Sequence, residues 1–164
     1  MQPSPARDVN IQRTEPLISP VDLVKELPLT PEVEATVLEG RRQIQAVLRG
    51  DDPRFLVIVG PCSIHDEKAA LDYAVRLKKL SDEISDHVLL VMRVYFEKPR
   101  TTVGWKGLLY DPNLDDTFDI NEGLRRARTL LTKIGEIGVF TGTEFLDPIV
   151  PQYLAGMVSW AAIG

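Results

Sequence analysis

The residues best suited to chemistry fall in three places. The first is Gly60-Pro61-Cys62-Ser63-Ile64-His65-Asp66, where a thiol, an imidazole and a carboxylate follow a short apolar run rich in β-branched residues. If that run is a strand, the three groups lie just beyond its C-terminal end, where α/β folds place active sites. A lone cysteine is also the usual pattern of an inert buried thiol, and His65 and Asp66 are equally able to open the next helix. The second place is Arg93, which interrupts the apolar run Val88–Tyr95. Burying a guanidinium there is costly unless an anion meets it. Glu97-Lys98-Pro99-Arg100-Thr101-Thr102-Val103-Gly104-Trp105-Lys106-Gly107 follows at once, with three cations, two hydroxyls and loop-forming glycines. Lysine is a compact charge, arginine a fork for two oxygens, and loop amides and hydroxyls complete a phosphate cradle. The same composition also describes a solvated charged loop. The third place is Glu144 in Thr141-Gly142-Thr143-Glu144-Phe145, an inward carboxylate able to orient a cation, a water or a metal ligand, or to balance Arg93.

These groups need elements to position them. Five prolines before Leu29 suit an extended arm over residues 1–29 rather than a long helix. Thr30-Pro31 opens a helix that runs to Gly50, with Val33, Val37, Leu38, Ile44, Val47 and Leu48 as its apolar face. Phe55–Gly60 reads as a strand covered on both faces, and Asp66–Ile84 as a helix presenting Ala70, Tyr73, Ala74, Leu77, Leu80 and Ile84. The alternation repeats with a strand at Val88–Tyr95, a helix at Glu122–Glu136 capped by Gly138, and a strand at Val139–Phe145. A short helix from Pro151 and a run at Val158–Ile163 follow, and Gly164 stands at the tip of that last strand. This is a parallel α/β chain. A (β/α)8 TIM barrel takes about 250 residues, so four strands make half of one, with residues 30–164 as the N-terminal half of the barrel domain and the arm as its extension.

Composition narrows the partners. The chain has 164 residues, 44% hydrophobic and 26% charged, enough for one domain with a core. The net charge of −5 is mixed along the sequence, which argues against nucleic acid. One cysteine excludes an intrachain disulfide framework, and no stretch of about 18 apolar residues suggests a membrane span. No apolar signal segment opens the chain, so a reducing cytoplasm is expected. Neither a Walker loop nor a Gly-x-Gly-x-x-Gly turn supports nucleotide binding.

Gly60–Asp66, the long block Met92–Gly107, Gln152-Tyr153-Leu154 and Ser159–Gly164 together resemble the class I 3-deoxy-D-arabino-heptulosonate 7-phosphate (DAHP) synthases, in their microbial feedback-regulated branch. The resemblance extends from about Thr30 to Gly164. It implies the first step of the shikimate pathway, a transferase reaction that condenses phosphoenolpyruvate with erythrose 4-phosphate to give DAHP and phosphate. It also implies that Cys62 ligates a divalent metal such as manganese, iron or cobalt, the other ligands being outside this chain. Arg93 and Lys98 are expected at phosphoenolpyruvate, Lys98, Pro99, Arg100 and Thr101 at erythrose 4-phosphate, and Glu144 and Gly164 on the phosphoenolpyruvate side. An aromatic amino acid as feedback inhibitor and a homo-oligomeric full-length enzyme belong to the same expectation. So does inactivity of the 164 residues alone. Two other readings compete: a non-catalytic phosphate-binding or regulatory half-barrel subunit, and an unrelated aldolase-like barrel enzyme. The second would need the basic loop without the cysteine block, and both are present.

Overall fold

A computed structural model describes residues 11, 13–99 and 102–164. Four strands, β1 (Phe55–Val59), β2 (Val88–Arg93), β3 (Thr141–Phe145) and β4 (Trp160–Ile163), form one sheet in chain order, and every neighbouring pair is parallel. Parallel neighbours require crossovers. These are helix α3 (Glu67–Glu83), helix α4 (Ile120–Glu136) and, between β3 and β4, the short helix α5 (Pro151–Leu154) with a 3₁₀ turn at Ala155–Met157. Sequential parallel strands in this order are half of a (β/α)8 barrel, as the alternation predicts.

Capping chemistry explains where the helices begin and end. Helix α2 (Pro31–Arg49) starts where the Thr30 hydroxyl accepts the Val33 amide, with Pro31 at the first helical position, and stops at Gly50, whose φ of +82° is left-handed. Asp66 accepts the Lys68 and Ala69 amides at 2.8 and 3.0 Å, so α3 opens on that carboxylate. Asp119 does the same for α4 through the Glu122 amide, two residues ahead of the start read from the sequence.

The main core joins Leu90, Met92 and Val94 to Ala74, Leu77, Leu124, Leu131 and Ile134, so α3 and α4 cover the outer face of the sheet. A second cluster of Ile44, Leu89 and Val91, with Leu56, Phe140 and Trp160 packed against it, seats α2 on the other face near the strand starts. Among the described residues no helix is long and apolar enough to cross a membrane.

Three expectations are corrected. The stretch before Thr30 is not simply extended: Pro20–Glu26 forms helix α1, capped by Ser19, and Leu23 is fully buried in the main core. Buried Arg128 donates to Leu27 O at 2.5 Å and to Tyr153 O at 2.6 Å, tying the end of α1 and α5 to α4. Leu38, Leu48 and Leu80 are exposed rather than buried, because they fall off the contact stripes of their helices. Strand β1 is covered less completely than expected: Val57 and Val59 pack on the main core and Leu56 on the second cluster, but two of its residues stay exposed. It has β2 on one side only, and Phe55 is 76% exposed and Ile58 40%.

Candidate active site

The C-terminal ends of β1 and β2 converge. Gly60 passes so close to β2 that a Cβ there would stand 2.7 Å from the Arg93 carbonyl oxygen. No larger residue fits, so β1 leads into Pro61 and Cys62 directly beside Arg93. Cys62 is exposed, which removes the inert-thiol reading. Its Sγ accepts from Lys98 Nζ at 2.9 Å, and its carbonyl accepts from a terminal guanidinium nitrogen of Arg93 at 3.2 Å. The sequence-predicted trio Cys62, Arg93 and Lys98 is therefore one cluster.

Arg93 is held in an unusual way for a cation. Its guanidinium lies 3.9 Å from the centre of the Tyr95 ring, and its Nε is buried with no hydrogen-bond partner. No ion pair joins Arg93 to Glu144 among the described residues, so the charge-balancing role considered for Glu144 is corrected. A buried donor without an acceptor carries a desolvation cost of about 1–3 kcal/mol. An anion arriving at this point would remove it.

The two limbs of the basic loop are tied to each other, while Thr102, Val103 and Gly104 between them are exposed. Lys98 N donates to Lys106 O at 3.1 Å and Leu109 N to Phe96 O at 3.2 Å, so the segment returns alongside β2. Gly107 makes this possible: its φ is +104°, and a Cβ would stand 2.2 Å from the Phe96 carbonyl oxygen. Trp105 Nε1 donates to Asp111 O at 2.8 Å, and the ring meets His65 edge-on with centroids 6.4 Å apart. His65 thus packs against the loop, while Asp66 is used as the α3 cap. Pro99 is exposed at the loop's outer limit, and Arg100 and Thr101 lie outside the described residues.

On the other side of the sheet, Glu144 pairs in register with Ala162, and Gly164 N donates to Phe145 O at 3.0 Å. A Cβ on Gly164 would come 3.2 Å from a Glu144 carboxylate oxygen. These two expected residues are neighbours at the C-terminal ends of β3 and β4, on the same end of the sheet as Cys62 and Arg93.

Sequence reading missed Glu97 and Tyr110. Glu97 is 4% exposed, its carboxylate accepts from Tyr110 Oη at 3.1 Å and from Leu146 N at 3.3 Å, and burial pushes its pKa above the ordinary carboxylate value. Burial and the neighbouring Glu97 carboxylate raise Tyr110 in turn. The available signal was the single acid inside a basic block.

No group of three or more potential metal ligands occurs among the described residues. Exposed Cys62, with an ammonium beside its sulfur, fits one soft ligand of a metal site, and the described residues supply no complete set.

A parallel half-barrel whose strand ends gather cations and a thiol defines an α/β-barrel protein with a basic cluster at the C-terminal ends of its strands. The comparisons specify it further. The DAHP synthetase I family matches residues 28–164, and the chain belongs to that family. It is 52% identical over 157 residues to the Phe-sensitive phospho-2-dehydro-3-deoxyheptonate aldolase of Escherichia coli, covering 96% of this chain and 45% of that protein. The phospho-2-dehydro-3-deoxyheptonate aldolase of Amycolatopsis methanolica is 53% identical over 156 residues, covering 93% of this chain and 77% of that protein. The solved structure of the corresponding aldolase from Francisella tularensis superposes with a TM-score of 0.91 at 47% identity, covering 94% of this chain and 46% of that one. The chain thus spans about half the length of most of the relatives named here.

Proposed function

We propose that this chain contributes the phosphate-gathering part of the active site of a 3-deoxy-7-phosphoheptulonate synthase. The reaction joins the vinyl carbon of phosphoenolpyruvate to the aldehyde carbon of erythrose 4-phosphate. One water enters and one phosphate leaves for each DAHP formed. The observation that carries this reading is the cluster of Arg93, Lys98 and Cys62 at the convergent ends of β1 and β2, with the buried Arg93 Nε still lacking an acceptor.

Arg93 and Lys98 would bind and orient phosphoenolpyruvate, with Glu144 and Gly164 flanking it. Lys98, Pro99, Arg100 and Thr101 would receive the phosphate of erythrose 4-phosphate. The cations offset the repulsion between the two anions, and fixing the substrates face to face turns a bimolecular step into an effectively unimolecular one. Cys62 is this chain's ligand for a divalent metal (manganese, iron or cobalt), which when bound supplies Lewis-acid polarisation of a carbonyl oxygen. Two relatives are named Phe-sensitive and Trp-sensitive, which supports feedback control by an aromatic amino acid. The enzyme would act in the cytoplasm as a homo-oligomer.

In the full-length gene product, Arg100→Ala should raise KM for erythrose 4-phosphate at least about tenfold, the cost of roughly 1.4 kcal/mol of lost phosphate binding, while KM for phosphoenolpyruvate changes little. Equal KM values for erythrose 4-phosphate in mutant and wild type would remove Arg100 from that subsite.

A further inference from the structure

Glu97 is the buried acid that the reaction scheme above leaves without a task. Among the described residues no cation pairs with it, so its burial is not explained by charge balance. Its hydrogen-bond donors come from two separate segments: Tyr110 on the returning limb of the basic loop, and the Leu146 and Asp147 amides just past β3, where the Asp147 carboxylate adds a like charge that also pushes the Glu97 pKa up. Lys98, the next residue, reaches the opposite way to Cys62 past β1. The Lys98 amide is fixed by Lys106 O on the same limb that carries Tyr110. The peptide joining residues 97 and 98 is thereby gripped from both flanks, with the ammonium delivered to one strand end and the carboxylate anchored at another.

The anchor also bears on the far side of the site. Leu146 follows Phe145, whose carbonyl accepts from the Gly164 amide, and the Leu146 side chain stands 2.7 Å from where a Gly164 Cβ would lie. The Glu97–Leu146 bond therefore links the lysine side of the cluster to the Glu144–Gly164 side.

Resting on the synthase reading, we infer that Glu97, clamped by Tyr110 and Leu146, is a positioning residue that sets Lys98 against Cys62 and holds the two sides of the site in register. It touches neither substrate. A displacement of about 1 Å in a reacting geometry can lower a rate about 100-fold, and a lysine on an unanchored loop is free to move that far.

Steady-state kinetics of the full-length gene product, metal-loaded, test this with three variants. Glu97→Ala should lower kcat about 100-fold and leave KM for phosphoenolpyruvate within about threefold, because the cation remains but its placement is lost. Glu97→Gln should recover to within about fivefold of wild type, since its amide oxygen accepts from Leu146 N and its NH2 donates to Tyr110 Oη, keeping both bonds. Tyr110→Phe should fall between the two. If Glu97→Ala does not fold, the Gln and Phe variants still decide. Wild-type kcat in Tyr110→Phe, or a kcat lowered about 100-fold in Glu97→Gln, would overturn the positioning role while leaving the synthase reading intact. A wild type that makes no DAHP would remove both.

Discussion

Cys62 does two things at once at the end of β1. Its carbonyl orients Arg93 and its sulfur receives Lys98, so side chain and backbone organise the same cluster. As the ligand proposed for the divalent metal, its thiol should be irreplaceable by a methyl group: Cys62→Ala in the full-length gene product should leave the protein folded and metal-free after dialysis, and wild-type metal content by elemental analysis would contradict the assignment. Glu97 makes a separate prediction through pH. Burial raises its pKa in the folded state. A raised carboxylate pKa means the folded state binds the proton more tightly than the unfolded one, so this contribution is full below the unfolded pKa and lost as pH rises through the folded value. Glu97→Gln cannot ionise. It should be more stable than wild type at neutral pH, with the gap closing as pH falls into the range just above the ordinary carboxylate value; a gap independent of pH in denaturant titrations would contradict a charged, buried Glu97. The sequence exposed Cys62, Arg93 and Lys98 because each interrupts or follows an apolar run. Glu97 stayed hidden because its second partner, Leu146, is far away in the chain, and no local pattern reports a contact at that separation.

At the scale of elements, helices were readable where a cap and a stop residue bracket an apolar period, as Thr30-Pro31 and Gly50 do for α2. Helix α1 was less visible. Prolines dominate its surroundings, yet Ser19-Pro20 is itself a cap and first-turn pair, and α1 is made secure by Leu23 in the core and by Arg128 at its end. Burial was harder to read than periodicity. Leu38 and Leu48 continue the helical spacing of α2, but the residues it buries are Val33, Val37, Gly40 and Ile44. Close approach of backbones is another feature without a sequence pattern. In the first turn of α4, a Cβ on Gly123 would stand 2.0 Å from the Leu109 carbonyl oxygen. Since that oxygen is backbone, Gly123→Ala should cost about 1–3 kcal/mol by forcing the helix off the loop that carries Tyr110. Gly156→Ala, with open space around it, serves as the control. Equal unfolding midpoints for the two variants would show that α4 does not press on this loop as described.

Among the described residues the molecule is one sheet of four parallel strands with the Cys62, Arg93 and Lys98 cluster at one end. Helix α2 lies across the strand starts, the crossover helices cover one face, and the cluster stands at the strand ends. Strands β1 and β4 each have a neighbour on one side, and Ile163 is 90% exposed. The alternation of strands and helices made this layout legible, because a chain that alternates in this way has few other ways to bury its apolar runs. What composition and periodicity did not reveal is how tightly the loops beyond the strands are tied to each other. Those ties run through Gly60 against Arg93, Lys98 against Cys62 and Glu97 against Leu146.

The most direct test of the synthase reading is turnover by the full-length gene product with a divalent metal, phosphoenolpyruvate and erythrose 4-phosphate, following phosphate release and DAHP together. Phosphate and DAHP should appear in equal amounts, only when both substrates are present, and Arg93→Ala should abolish both. Phosphate released without erythrose 4-phosphate, or no turnover by a folded, metal-loaded wild type, would contradict it.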